Sequence, residues 1–193
     1  MALMSVSYKL LPHPGNSQTE NIDIVFEGVW KRDIQLGITF TVQSETTQVL
    51  YPPTSLAMRR DGLWKETCFE FFILARDGKY IELNLSPSES WAAYCFSNYR
   101  AGMSVLNGIS LHVSTAMQST EQLSVSTHLD FHPVIDVLGP VESLSFFPTA
   151  VIQKRDGNFC YYGLRFPRGN PDFHHRDGFT PYVDFFKAQA PGS

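Results

Sequence analysis

The most constraining feature of this 193-residue sequence is a long apolar run with polar residues inside it. The run reads CFEFFILARDGKYIELNLS from Cys68 to Ser86, and Glu70, Glu82 and Asn84 lie within its apolar arms. The central Arg-Asp-Gly supplies the residue types of a tight turn, because glycine adopts positive φ without steric cost. We therefore predict an antiparallel hairpin whose turn length decides where the polar residues lie.

Two turn lengths are open to this hairpin, and they place Glu70 differently. A two-residue Asp77-Gly78 turn puts Glu70 on an otherwise apolar face, where an unpaired carboxylate is costly. A three-residue turn, with Gly78 in the left-handed region, sets Glu70 opposite Asn84 and collects the polar residues on one face. We predict the three-residue turn for this reason. The other facing pairs are then Phe69–Leu85, Phe71–Leu83, Phe72–Glu82, Ile73–Ile81 and Leu74–Tyr80.

The polar face of the hairpin has three interpretations. Sheets commonly keep one face wet, so Glu82 and Asn84 facing solvent is the simplest of them. The second is an internal hydrogen-bonded network that includes Glu70. The third is one wall of a ligand site. Aromatic residues framing the patch would distinguish a ligand site from a solvated face.

Composition favours strands along the rest of the chain. Aromatic residues make up 13% of the sequence, and no apolar stripe at helical spacing is long enough to compete. Short β-branched and aromatic runs separated by turn residues are typical of a sandwich or barrel, so we predict one all-β domain over residues 1–193. The predicted strands are 22–30, 34–42, 68–75, 79–86, 91–96, 109–114, 122–131, 143–154 and 158–166. Short helical turns are predicted at 133–137 and 182–186.

The charge and hydropathy of the chain argue against two kinds of partner. A formal net charge of −4 leaves no basic surface for a phosphate backbone, which disfavours nucleic acid. No window approaches the roughly 18 consecutive apolar residues of a membrane helix, and the N-terminus lacks a secretory leader pattern. We expect a cytoplasmic protein without membrane association. The sequence carries no signature of its oligomeric state.

Several segments around the hairpin resemble the bacterial DOMON-like proteins. They are LWKETCFE at 63–70, YIELNLSP at 80–87 and WAAY at 91–94, and the resemblance extends through GNPDFH at 169–174. It implies a single-domain β-sandwich of two antiparallel sheets, related to family 9 carbohydrate-binding modules and to haem-binding cytochrome domains. Because one fold hosts many functions, the resemblance leaves the ligand open.

Sugar-binding proteins similar to family 9 modules carry a Trp six residues before a Glu, and an Asn three residues before a second aromatic. Trp64 and Glu70 have the first spacing, and Asn170 and Phe173 have the second, with Phe in place of Trp. Aromatic faces stack on pyranose rings, while carboxylates and amides bind their hydroxyls. The resemblance therefore implies non-catalytic binding of a small molecule, with a saccharide as the candidate.

Two further residues complete the predicted site. Arg100 follows an aromatic strand and is expected to pair with Glu70 or Glu82, either within the site or as a structural bridge. Trp91 is a candidate for a second aromatic wall. The full predicted set of ligand-binding residues is Trp64, Glu70, Glu82, Asn84, Trp91, Arg100, Asn170 and Phe173.

Three alternatives to saccharide binding stay open. Haem-binding relatives use Met and His as axial ligands, for which Met103 and His174 are the candidates. Glu70 and Glu82 are the candidates for a glycosidase-like acid/base pair. An accessory protein-interaction module is the third alternative. We assign no catalytic residue.

The run HHRD at 174–177 raises the question of a metal. Adjacent histidines in an extended segment point to opposite faces, and the i, i+4 spacing of a zinc helix is missing, so a hydrogen-bonded or solvated histidine pair is preferred. Calcium could use Asp172 and Asp177, but no ordered oxygen-ligand loop is present. We therefore assign no metal site, and neither haem nor calcium is favoured as a cofactor.

Overall fold

A computed structural model of the chain describes residues 2–16, 21–31, 34–44, 49–54, 56–119, 121–139 and 143–184. Strands dominate these residues, which confirms the predicted all-β class. The strands are β1 (Ala2–Pro12), β2 (Ile22–Lys31), β3 (Gln35–Ser44), β4 (Cys68–Leu74), β5 (Tyr80–Leu85), β6 (Trp91–Phe96), β7 (Ser104–Val105), β8 (Ser114–Met117), β9 (Gln122–Asp130), β10 (Ser143–Gln153), β11 (Phe159–Gly163) and β12 (Val183–Asp184). The helix α1 spans His132–Leu138, and 3-10 turns span Leu63–Lys65 and Arg176–Gly178.

The strands form one continuous antiparallel sheet. Its order is β7-β6-β5-β4-β10-β11-β1-β2-β3-β9-β8, and β12 pairs with β10 off this path. Strand β1 connects the two halves, because most of its length pairs with β2 while Leu11 and Pro12 pair with Gly163 and Tyr162 of β11. The division into two separate sheets that the resemblance implies is therefore not observed.

The two halves of the sheet pack face to face around an aromatic core. Phe71 of β4 stacks on Phe26 of β2, with 5.2 Å between ring centroids. Phe69, also on β4, stacks on Phe40 of β3 at the same separation of 5.2 Å. All four rings are buried. Large aromatic surfaces removed from water in this way stabilise the association of the halves.

The hairpin between β4 and β5 has the predicted three-residue turn. The Ala75 N–H donates to the carbonyl of Lys79 at 2.9 Å, and Gly78 has a φ of 95°. Glu70 lies opposite Asn84, and the other facing pairs are also those predicted. The register confirms that the polar residues share one face, which is the outer face of this half of the sheet.

Other parts of the secondary structure differ from the prediction. The segment 109–114 is not a strand before β8 begins at Ser114; its alternating residues Leu111 and Val113 are buried in the core without ladder pairing. The helical turn expected at 182–186 is wrong for its described part, which contains β12, and residues 185 and 186 lie outside the described residues. Helix α1 confirms the turn expected at 133–137. The prediction lacks strands β1, β7 and β12 and all of β8 beyond Ser114.

Candidate functional site

The outer face of strands β4, β5, β6, β10 and β11 carries a cavity of about 440 Å³. Strand pairing explains why its floor residues point the same way, since Glu82 faces Tyr94 across β5 and β6, and Val151 faces Tyr161 across β10 and β11. The 3-10 turn before β4, the loop after β6 and the segment after β11 contribute the walls. The cavity is lined by Trp64, Glu70, Glu82, Tyr94, Phe96, Arg100, Met103, Val151, Tyr161, Pro171, Phe173 and His174.

Aromatic side chains frame the polar patch from two sides. Trp64, on the 3-10 turn before β4, makes an edge contact with Tyr94, with ring centroids 6.0 Å apart. On the opposite side, Phe173 makes an edge contact with Tyr161 at 6.1 Å. Trp64 is 40% exposed, whereas Phe173 is buried. This framing is the feature expected of a ligand site rather than of a solvated sheet face.

Two carboxyl groups lie at the floor of the cavity. Glu70 and Glu82 are only 4% and 6% exposed. The Thr149 hydroxyl donates to Glu70 Oε2 at 3.3 Å, and the Asn84 amide donates to Glu82 Oε1 at 2.7 Å. Burial raises the pKa of both carboxyls, and the charge of Glu82 raises the pKa of Glu70 further. The pair therefore holds a proton at a higher pH than exposed glutamates do.

His174 is largely buried in the wall of the cavity, between Tyr80 and Glu82. Its Nδ1 lies 2.8 Å from the Tyr80 hydroxyl, which also accepts the Arg100 backbone N–H at 3.2 Å. The other ring nitrogen, Nε2, lies 4.0 Å from Glu82 Oε2. Burial lowers the pKa of His174 to about 4, with a smaller contribution from the charge of Arg100. The raised pKa of Glu82 weakens the counter-charge that would favour the imidazolium.

Arg100 is held at the rim of the cavity by an ion pair with Asp172. Its Nη2 donates to Asp172 Oδ1 at 2.8 Å, and the Tyr99 hydroxyl donates to Asp172 Oδ2 at 2.5 Å. The same carboxylate accepts the His174 backbone N–H at 3.1 Å. Asp172 therefore ties the loop after β6 to the segment after β11. Arg100 has a φ of 49°, a left-handed conformation that non-glycine residues adopt rarely.

The fold is similar to that of a solved protein from Bacteroides uniformis that is provisionally identified as a carbohydrate-binding protein. The two structures superpose with a TM-score of 0.59, over 91% of this chain and 84% of the other. Their sequence identity is 9%. The likeness is one of fold. No protein-family model and no curated protein sequence matches this chain.

The structure brings most of the predicted site residues to one cavity. Trp64, Glu70, Glu82, Arg100 and Phe173 all line it. The expected partner of Arg100 differs, since its ion pair is with an aspartate and not with either glutamate.

Three of the predicted residues do not line the cavity. Asn84 is fully buried and supports Glu82 from the side. Trp91 belongs to the core between the halves, because it pairs with Leu85 and shares its inward face. Asn170 is exposed and lies outside the lining, although it is only three residues from Phe173.

Sequence reasoning missed several lining residues. Tyr94 and Phe96 had a usable signal, since extending the hairpin register by one strand places Tyr94 opposite Glu82. Val151 and Tyr161 come from strands far along the chain, so only the tertiary pairing of β10 with β4 brings them to the site. Pro171 lies in an irregular segment that has no periodicity to follow.

The residues present do not fit a haem with Met103 and His174 as axial ligands. Both residues line the cavity. However, His174 Nδ1 is hydrogen-bonded to Tyr80 and Nε2 lies 4.0 Å from Glu82 Oε2, so a haem bound at this imidazole would have to displace Glu82.

No three His, Cys, Asp or Glu side chains in the described part of the chain are grouped closely enough to hold a metal ion. His175 is engaged locally, because its Nδ1 accepts the Asp177 N–H at 3.3 Å. None of the described helices is long and apolar enough to span a membrane.

His174→Asn is expected to make the protein less sensitive to acid. Between pH 6.5 and about 4 the unfolded chain binds a proton at this imidazole and the folded protein does not, so acidification favours unfolding of the wild type. The asparagine carbonyl can still accept from Tyr80. The stability of the wild type relative to the variant should therefore fall by up to about 3 kcal/mol across this range.

Urea denaturation of both proteins at several pH values measures this difference in the free energy of unfolding. The pH dependence that Glu70 and Glu82 contribute is common to both proteins and cancels when one free energy is subtracted from the other. His112→Asn, at an exposed histidine, is the control and should leave the pH profile unchanged. Parallel profiles for the wild type and His174→Asn would refute the assignment of a buried neutral imidazole.

Proposed function

We propose that this chain binds a small saccharide in the outer-face cavity and acts as a non-catalytic binding domain. The observation that carries the proposal is the pair of buried carboxyls, Glu70 and Glu82, between aromatic walls that include Trp64 and Phe173. The likeness to a provisionally identified carbohydrate-binding protein supports the proposal at the level of fold. The DOMON-like and family 9 resemblance of the hairpin segments supports it from the sequence.

The chemistry of the cavity suits a polyhydroxylated ring. Aromatic faces such as those of Trp64 and Tyr94 present apolar surface to the axial C–H groups of a pyranose. The carboxyls of Glu70 and Glu82 accept hydrogen bonds from hydroxyls, and the Arg100 guanidinium at the rim donates them. A volume of about 440 Å³ falls within the range of small-molecule sites.

Trp64→Ala is expected to weaken saccharide binding by about thirtyfold or more, the loss typical of a tryptophan that anchors a ligand. The fold should survive, because Trp64 is partly exposed on a short turn and lies outside the core between the halves. Screening the wild type on a glycan array and titrating the best ligand into both proteins by calorimetry measures the change. Met117→Ala, at an exposed apolar residue of β8, is the control and should bind as the wild type does.

The result that would refute the proposal is a wild type that binds no glycan, or a folded Trp64→Ala variant with unchanged affinity. Far-UV circular dichroism of both proteins separates loss of binding from loss of structure.

The same pair of carboxyls favours a glycosidase-like acid/base pair as a second candidate function. Glu70 and Glu82 lie on adjacent paired strands and both have a raised pKa, as a general acid requires. Turnover of aryl glycosides by the wild type, abolished in Glu70→Gln, would establish this second function in place of simple binding.

A further inference from the structure

Resting on the saccharide-binding function proposed above, we infer that the ligand is an amino sugar whose protonated amine lies between Glu70 and Glu82. The inference follows from the charges around the cavity. Two carboxyls are aimed into it from the floor, and the cations nearby are already engaged elsewhere.

The cations of the rim are neutralised by their own partners. Arg100 is paired with Asp172 at 2.8 Å. Arg59, which lies over the Tyr94 ring, is paired with Asp61 at 2.6 Å. Each pair contributes little net charge to the cavity. The charge of Arg100 still lowers the pKa of both floor carboxyls, but burial outweighs it and the pKa of each remains raised.

Within the described residues, no Lys or Arg side chain lies within ion-pair distance of the floor carboxyls. Glu70 accepts a hydrogen bond from the neutral hydroxyl of Thr149, and Glu82 accepts one from the neutral amide of Asn84. The imidazole facing Glu82 is the neutral His174. The titratable and charged groups that surround the pair are Cys68, Tyr80, Tyr94, Arg100, Asp172 and His174.

A protonated amine supplies what this floor lacks. A primary ammonium donates three hydrogen bonds and carries the positive charge that two buried carboxylates require. The faces of Trp64 and Tyr94 add cation–π attraction, which grows when the cation is desolvated. A neutral hydroxyl at the same place would leave the pair protonated or uncompensated. The cavity therefore discriminates by charge as well as by shape.

The test uses sugars that differ only at the amine. The probes are the β-1,4 dimer of glucosamine, its N-acetylated form and cellobiose, together with the corresponding galactosamine, N-acetylgalactosamine and galactose set. At about pH 6, where an amine keeps its proton, we expect the amino sugar of at least one set to bind about tenfold or more tightly than its neutral counterparts. Calorimetry in two buffers of different ionisation enthalpy should show proton release on binding, since the ammonium lowers the raised pKa of the carboxyl pair.

Substitutions of the two carboxyls test whether they cause the preference for an amine. Glu70→Gln and Glu82→Gln can keep the hydrogen bonds from Thr149 and Asn84, and each should abolish both the amine preference and the proton release. Glu27→Gln, at an exposed position of β2, is the matched control and should retain both. Thermal melting verifies that each variant is folded.

The outcomes separate the two proposals. Equal binding of the charged and neutral sugars would overturn the amino-sugar inference while leaving saccharide binding intact. An amine preference that persists in both glutamine variants would also overturn it. Failure of every sugar in the panel and on the array would instead refute the saccharide-binding function on which the inference rests.

Discussion

Replacing Phe71 by alanine is expected to lower the free energy of unfolding by about 3–5 kcal/mol, the range found when a buried aromatic ring is removed from a core. Phe71 is only 2% exposed. Its ring stacks on Phe26 from the other half of the sheet and on Phe146 from the neighbouring strand, at 5.2 Å and 5.4 Å. Its loss would leave a hole where the two halves meet, and chemical denaturation measures the cost.

The cavity should remain functional in Phe71→Ala. Phe71 points inward, whereas the neighbouring Glu70 and Phe72 point to the outer face. Under conditions in which the variant is folded, it should therefore bind ligand with wild-type affinity. Phe71→Leu should cost less, since it refills part of the volume. A loss below about 1 kcal/mol in Phe71→Ala would show that the halves do not depend on this ring stack.

Gly178→Ala is expected to destabilise the protein by about 1–3 kcal/mol and, unlike Phe71→Ala, to damage the cavity. An added methyl group at Gly178 would overlap the ring of Phe147, which is fully buried and contacts Phe173 with ring centroids 6.0 Å apart. Moving either side of this contact displaces the wall that carries Phe173 and His174. We expect ligand affinity to fall by about tenfold, the equivalent of about 1.4 kcal/mol.

Gly37→Ala is the matched control, because its methyl group would meet only ordinary van der Waals contacts, at 3.6 Å from the Val29 carbonyl. Its stability should change by less than about 1 kcal/mol. Calorimetric titration and thermal melting of both variants test the contrast. Unchanged affinity in Gly178→Ala would show that the segment after β11 does not shape the binding site.

Turn length and the alternation of side chains along a strand were enough to predict the floor of the cavity. The turn length alone set Glu70 opposite Asn84, because the alternative two-residue turn would bury a carboxylate on an apolar face. The same alternation, extended one strand further, leads to Tyr94 and also shows why Trp91 turns inward. These positions can be predicted because successive side chains of a strand point to opposite faces of the sheet, so the face of each residue follows from its place in the sequence.

The opposite wall could not be predicted in this way. Asp172 and Arg100 are 72 residues apart, and their contact depends on how an irregular segment packs across the sheet. Phe173 reaches the cavity while Asn170 does not, although their spacing matches the sugar-binding pattern. Irregular backbone has no period, so side-chain directions there are fixed only by tertiary contacts.

The central position of β4 in its half of the sheet has a consequence for the order of folding. One flanking strand, β5, follows through a three-residue turn and can pair early, whereas Glu70 meets Thr149 of β10 only across 79 positions of chain. Pairing over such separations costs more loop-closure entropy and slows folding. During synthesis the β4–β5 hairpin can form before β10 has been made, which leaves the backbone hydrogen-bonding groups on the other edge of β4 unpaired. Unpaired strand edges of this kind can pair with other chains. A charged side chain on an unpaired strand edge disfavours such association, and Glu70 lies on the edge of β4 that later pairs with β10.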